Sequence, residues 1–189
     1  MDRTDNRWNI NTLISCPRDK IIRIYEINDK SYKNINANKQ DSSAWKMKEL
    51  QNSKLVSIMS NSDIKIWIKK DNNLECEFIL KNGGESYDIL ETKPNEVVAL
   101  SGNNINFFFD LNMRDKITSI SGFESFHGNP GRKFCKVNEE LLLVCGTQNI
   151  FLVDLKSYQL INKIQCPYIT TLYKISNEFV FFLASKMEI

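Results

Sequence analysis

Residues 55–68 read Leu55-Val56-Ser57-Ile58-Met59, Ser60-Asn61-Ser62-Asp63, Ile64-Lys65-Ile66-Trp67-Ile68. The first five are apolar but for one serine, the next four are turn formers, and the last five carry β-branched residues and an aromatic. A run that is apolar at almost every position is a strand covered on both faces. Ser, Asn and Asp tolerate left-handed backbone and cap their own turns, so the stretch reads as a hairpin. Trp67 stands 12 residues after Leu55, and three other stretches keep that offset: Leu13 to Tyr25, Val97 to Phe109 and Leu141 to Val153. Their starting points advance by 42, 42 and 44 residues.

A repeat of this size built from strands marks an array of β-propeller blades. Each period also holds an outer strand (76–80, 116–120, 160–164) and a strand ahead of the hairpin (45–47, 87–90, 134–137, 172–175). Four strands per period is the number a blade needs. A fifth unit starts at Phe179-Val180-Phe181-Phe182-Leu183, and its twelfth-position landmark falls past Ile189. The fold expected is all-β, with blades of four antiparallel strands, about four of them plus a truncated fifth. Residues 1–12 form an N-terminal lead-in and 13–189 a partial propeller. The chain is thus expected to be part of a longer propeller, or to need further blades or another chain to close the ring. Residues 28–43, polar and rich in Asn and Lys, read as the most flexible loop.

Bulk composition narrows the function classes. Hydrophobic residues at 42% and charged residues at 25% are ordinary for a globular domain. A net charge of +2 is too weak a field to point to nucleic acid or an anionic membrane. No run of 18 apolar residues exists, and the polar start at Met1-Asp2-Arg3 lacks a signal-peptide core. Cys16, Cys76, Cys135, Cys145 and Cys166 are an odd set without a Cys-x-x-Cys pair. They read as free thiols acting as small buried hydrophobes, in a reducing cytoplasmic or nuclear setting. Phosphate-cradling glycine loops and the Gly-x-Ser-x-Gly elbow are absent, so no cofactor is expected.

Phe109-Asp110-Leu111-Asn112 and Val153-Asp154-Leu155-Lys156 sit where a known repeat carries Trp-Asp and its following turn. Trp67-Ile68 keeps the tryptophan alone, and Tyr25-Glu26 keeps only the chemistry of both. From about Leu13 onward the chain resembles the WD-repeat β-propeller family. That family usually places a Gly-His pair ahead of each repeat, its histidine bonded to an aspartate, a hydroxyl and the tryptophan. Here there is one histidine, His127, which precedes Gly128. The resemblance implies divergent blades in which this polar network is residual or missing.

Trp67, Phe109 and Tyr25, at regular spacing inside strands, are expected in the core between blades. His127 has no second histidine, cysteine or carboxylate at ligand spacing, so no metal site is expected. Phe123, Phe126 and His127, in a loop between strands, are a candidate partner-docking site. By analogy with the family the chain is expected to be a non-catalytic protein-interaction scaffold binding a protein partner, with no nucleic acid and no membrane. The alternatives are a hydrolase-type propeller with channel carboxylates, for which Asp110 and Asp154 recur, and a lipid- or RNA-binding propeller.

Overall fold

The computed structural model describes residues 11–15, 18–29, 31–71, 73–81, 84–101, 106–123, 133–146, 148–165, 169–174 and 180–184. Two compact units divide the chain, Met1–Gly83 and Gly84–Ile189. In the first, β1 (Thr12–Ser15), β2 (Ile21–Asn28) and β3 (Ser31–Lys39) form a three-stranded sheet, the first blade. The second blade follows, with β4 (Ala44–Glu49), β5 (Leu55–Met59), β6 (Asp63–Lys70) and β7 (Asn73–Lys81). The second unit holds the third blade, β8 (Ser86–Lys93), β9 (Glu96–Ser101), β10 (Asn106–Asp110) and β11 (Asp115–Ile120). Its fourth blade is β12 (Phe134–Lys136), β13 (Leu141–Cys145), β14 (Asn149–Asp154) and β15 (Gln159–Gln165), and β16 (Ile169–Lys174) pairs with β17 (Val180–Ala184) in a fifth sheet. Every sheet is an antiparallel meander in chain order, and no described residue is helical.

Burial falls across each blade as the residue types dictate. All five residues of β5 are buried, whereas all seven of β15, at a sheet edge, are exposed. The Leu13–Tyr25, Leu55–Trp67 and Val97–Phe109 offsets are true cross-strand pairs. In the fourth blade the register differs from the sequence reading: Val153 faces Leu142, and Leu141 faces Asp154. A shorter hairpin is the reason. Four residues separate the last pair, Cys145 and Ile150, against five between Ile58 and Ile64, and Gly146 N–H donates to Asn149 O at 2.8 Å. Immediately before each landmark residue the outer strand bulges, at Ile24/Tyr25, Ile66/Trp67, Phe108/Phe109 and Leu152/Val153. Such bulges re-aim the following side chain and sharpen the twist.

The residue after the landmark decides the next turn. Asp110 Oδ1 accepts from Asn112 N–H at 2.7 Å and Met113 N–H at 3.0 Å. Asp154 accepts from Lys156 N–H and Ser157 N–H, each at 3.1 Å, and from the Ser157 hydroxyl. Both carboxylates thereby close a four-residue turn whose last residue, Arg114 or Tyr158, has positive φ. The leucine after each aspartate turns into the core: Leu111 and Leu155 are buried, and their N–H groups donate to Asn95 O and Glu140 O. Where the position holds Glu26 or Ile68 the strand runs on, and Asn28–Ser31 and Lys70–Asn73 close two-residue hairpins instead.

Two apolar clusters join blades within the units. Ile22 and Ile24 of the first blade pack with Ala44, Leu55, Met59, Trp67 and Leu74 of the second, flanked by Ile14, Ile35 and Met47. Val98, Leu100 and Phe108 of the third pack with Leu142, Val144, Phe151, Val153 and Leu155 of the fourth. Three expectations are corrected. Residues 31–39 are a strand, because Asn36 and Asn38 are bonded across to the second blade, at Asn73 Oδ1 and Leu74 O, and Ile35 packs against the cluster. Cys76 is exposed on the outer strand β7, while Cys135 and Cys145 are buried as expected. Tyr25 is only half-buried, unlike Trp67 and Phe109, and the difference marks the face described below.

Truncating Trp67 to alanine should cost about 3–5 kcal/mol in denaturant unfolding. Asp110→Ala and Asp154→Ala should each cost about 1 kcal/mol through the lost turn cap. Equal losses for Trp67 and the two aspartates would contradict this division between core and turn.

Candidate interaction site

Within the second blade, other side-chain bonds stand where a histidine network would be. Trp67 Nε1–H donates to Ser57 Oγ at 2.8 Å, and the Ser57 hydroxyl faces Met59 Sδ at 3.2 Å. Asp63, which would serve a histidine, is taken by Lys81 Nζ at 2.6 Å and Asn61 Nδ2 at 3.0 Å. Lys65 lies buried along the sheet, its ammonium 2.8 Å from Asp41 Oδ1, and this hydrogen bond holds the Asp41 carboxyl below its usual range. In the second unit, buried Asp88 ties the third blade to the fourth by accepting from Phe134 N–H at 3.0 Å.

A denser link joins the same two blades. Lys93 Nζ donates to Leu155 O at 2.8 Å and to Tyr158 Oη at 3.1 Å, and lies 4.7 Å from the Tyr158 ring centre. Tyr158 Oη–H donates to Glu96 Oε2, and the Thr92 hydroxyl to Glu96 Oε1. The Tyr158 pKa is raised, by burial first and then by its bond to the Glu96 carboxylate. Burial alone would lower Lys93, but its bond to Tyr158 and the charge of Glu96 outweigh that and raise it.

The docking loop expected from sequence separates into parts. Phe123 is 4% exposed and stacks edge-on against Phe151 at 5.0 Å, so it is a core side chain and not a docking one. An apolar ring beside the aliphatic floor of the third and fourth blades gains more by burial than by facing water. Phe126 and His127 lie outside the described residues. Asp110 and Asp154, the recurring carboxylates that a hydrolase would need, are turn caps. Among the described residues no three His, Cys, Asp or Glu side chains gather as a metal site.

A different surface stands out. Leu13, Ser15, Tyr25, Ile27, Ser31 and Tyr32, with the turn at Asn28 and Asp29, line an open groove of about 620 Å³ on the first blade. Leu13 is 50% exposed and Tyr32 75%, and the two tyrosine rings meet edge to face at 5.7 Å. Side chains alternate across a strand, so Leu13 and Tyr25 share the face opposite Ile22 and Ile24. Sequence reading missed the groove because Tyr32 sits in the stretch read as loop. The usable signal was an aromatic standing among asparagines and lysines 42 residues before the apolar Leu74.

Lys93 and Tyr158 hold their protons more tightly folded than unfolded. The stability they add is complete below about pH 10 and lost as pH rises through the folded values. The denaturation midpoint of the chain should therefore fall more steeply above about pH 10 than that of Tyr158→Phe. Parallel curves would show that this link carries no proton coupling.

No family model and no curated protein matches the sequence. In structure the chain is similar to the WD40 β-propeller domain of Doa1, with a TM-score of 0.71 at 15% identity over 93% of this chain and 58% of that one. It is similar also to the C-terminal WD40 domain of Sif2, with a TM-score of 0.72 at 12% identity over 95% of this chain and 53% of that one. The chain spans somewhat more than half the length of these propellers. At such identities the likeness speaks for the fold alone, and the fold is that of WD40 β-propeller blades.

Proposed function

We propose that the chain is a non-catalytic protein-interaction scaffold of WD-like blades, acting in the cytoplasm and completed by further blades or another chain. The observation that carries this reading is the groove of the first blade, where Leu13, Ile27 and Tyr32 stay 40–75% exposed on a face otherwise suited to burial. Exposed apolar surface rimmed by polar side chains marks an interaction site. Tyrosines add large contact area with few rotors to freeze, which suits them to protein contacts. Against a hydrolase-type propeller stands the use of Asp110 and Asp154 as turn caps.

The test is quantitative affinity purification from the native host with three forms of the whole chain: unmodified, Tyr32→Lys, and Met113→Lys as a control at another exposed apolar residue. Proteins retained by the unmodified and Met113→Lys forms and lost with Tyr32→Lys are the expected result. Identical protein sets for all three would overturn the groove as the working surface.

A further inference from the structure

The fourth blade gathers four polar side chains into one recess. Gln148, Asn149, Lys163 and Gln165 line an open cavity of about 340 Å³. The strand ladder explains the gathering. Asn149 pairs with Gln165 and Phe151 with Lys163 across β14 and β15, and alternate residues of a strand share a face. Gln148 joins them from the turn, where Gly146 N–H donates to Asn149 O at 2.8 Å. This face is turned to the third blade, because Phe151 belongs to the cluster built with Val98, Leu100 and Phe108. Phe123 braces the Phe151 ring, and Lys163 Nζ lies 5.7 Å from the centre of that ring. Asn149 is buried, while Lys163 and Gln165 on β15 are open to water. The same place in the second blade shows what such a set of groups holds. Asp63 pairs with Lys81 as Asn149 pairs with Gln165, each four residues ahead of its landmark, Trp67 or Val153. There the chain itself supplies a carboxylate: buried Asp63 accepts from Lys81 Nζ at 2.6 Å and from Asn61 Nδ2 at 3.0 Å. In the fourth blade an amide stands in the carboxylate's place, and the donors are kept as the Lys163 ammonium and the Gln148 and Gln165 amides.

We propose that this recess binds a carboxylate brought by a partner peptide, either an aspartate or glutamate side chain or a free C-terminus. An ammonium and carboxamide N–H groups donate to it as Lys81 and Asn61 donate to Asp63, and hydrogen bonds to an ionised acceptor are the strong ones. One lysine balances one negative charge. A carboxylate is matched by it, whereas a phosphate group, close to a dianion at neutral pH, would be left under-neutralised. The cavity of about 340 Å³ exceeds a carboxylate group and leaves room for the residue that carries it. The proposal rests on the scaffold reading only for the protein origin of the carboxylate, and the groove of the first blade plays no part in it.

The test is an NMR titration of the full isotope-labelled chain, followed at the side-chain amides of Gln148, Asn149 and Gln165. Three probes are compared: N-acetylglutamate α-amide with a side-chain carboxylate, N-acetylglycine with a terminal one, and N-acetylglutamine amide as the neutral match. Both carboxylates should shift the three amides saturably at millimolar concentration, and the neutral probe should bind at least about tenfold more weakly. The tighter of the two carboxylates identifies the source. Lys163→Gln should weaken binding about tenfold and move melting by less than about 2 °C, since the side chain lost is exposed. Asn149→Asp, which gives the fourth blade the internal carboxylate of the second, should abolish binding. Absence of saturable shifts, equal affinity for the neutral probe, or binding unchanged by Lys163→Gln would overturn the proposal, as would inorganic phosphate binding more tightly than either carboxylate. The comparison with the neutral probe uses the unmodified chain, so it decides the matter even where a variant fails to fold. None of these outcomes moves the Tyr32→Lys purification result, so the two readings fail separately.

Discussion

A sheet whose strands are apolar on both faces cannot stand alone in water, and everything else in this chain follows from that constraint. β5 is buried at all five positions, and Ile22 and Ile24 of the first blade pack against its Leu55 and Met59. A repeat of one meander per 42 residues supplies such cover by stacking blade on blade. The first blade shows both faces of such a sheet. Ile22 and Ile24 serve the next blade, while Leu13, half exposed, lies on the reverse face with Tyr25.

Within that frame, side-chain hydrogen bonds settle local geometry. The aspartate after the landmark residue does not act at a distance; it closes the turn that sends the following leucine inward. Its replacement by Glu26 or Ile68 changes the hairpin from four connecting residues to two without changing the blade. A tolerant scaffold with replaceable turns explains how the repeat stays recognisable by spacing while its individual motifs drift.

The same physics explains what could and could not be read from residues alone. Spacing located the inner strands of the second and third blades because burial on both faces favours apolar residues, as in Leu55–Met59, where only Ser57 is polar. Outer strands were less legible. β3 is Asn- and Lys-rich, since one of its faces meets water and its amides are used as cross-blade donors, a role composition cannot distinguish from a loop. The one-residue register difference at Val153 depends on a hairpin length that an apolar run, equally good at Leu141 or Leu142, does not specify. Phe123 illustrates the opposite error: an aromatic next to a glycine outside any strand still finds the core when an open ring edge such as that of Phe151 lies 5.0 Å away.

Apolar faces built from Ile, Leu and Val are nearly interchangeable, so they hold blades together without saying which blade belongs beside which. The polar links supply that information. The first and second blades share the bonds from Asn36 and Asn38 to β7. The third and fourth share Asp88 to the Phe134 amide, and Lys93, Glu96 and Tyr158 around the Leu155 carbonyl. Pairing a blade with the wrong neighbour would leave Asp88 or Glu96, both buried, without these partners, a penalty of a few kcal/mol. The junction within the first unit and the one within the second thus carry different sets of polar groups.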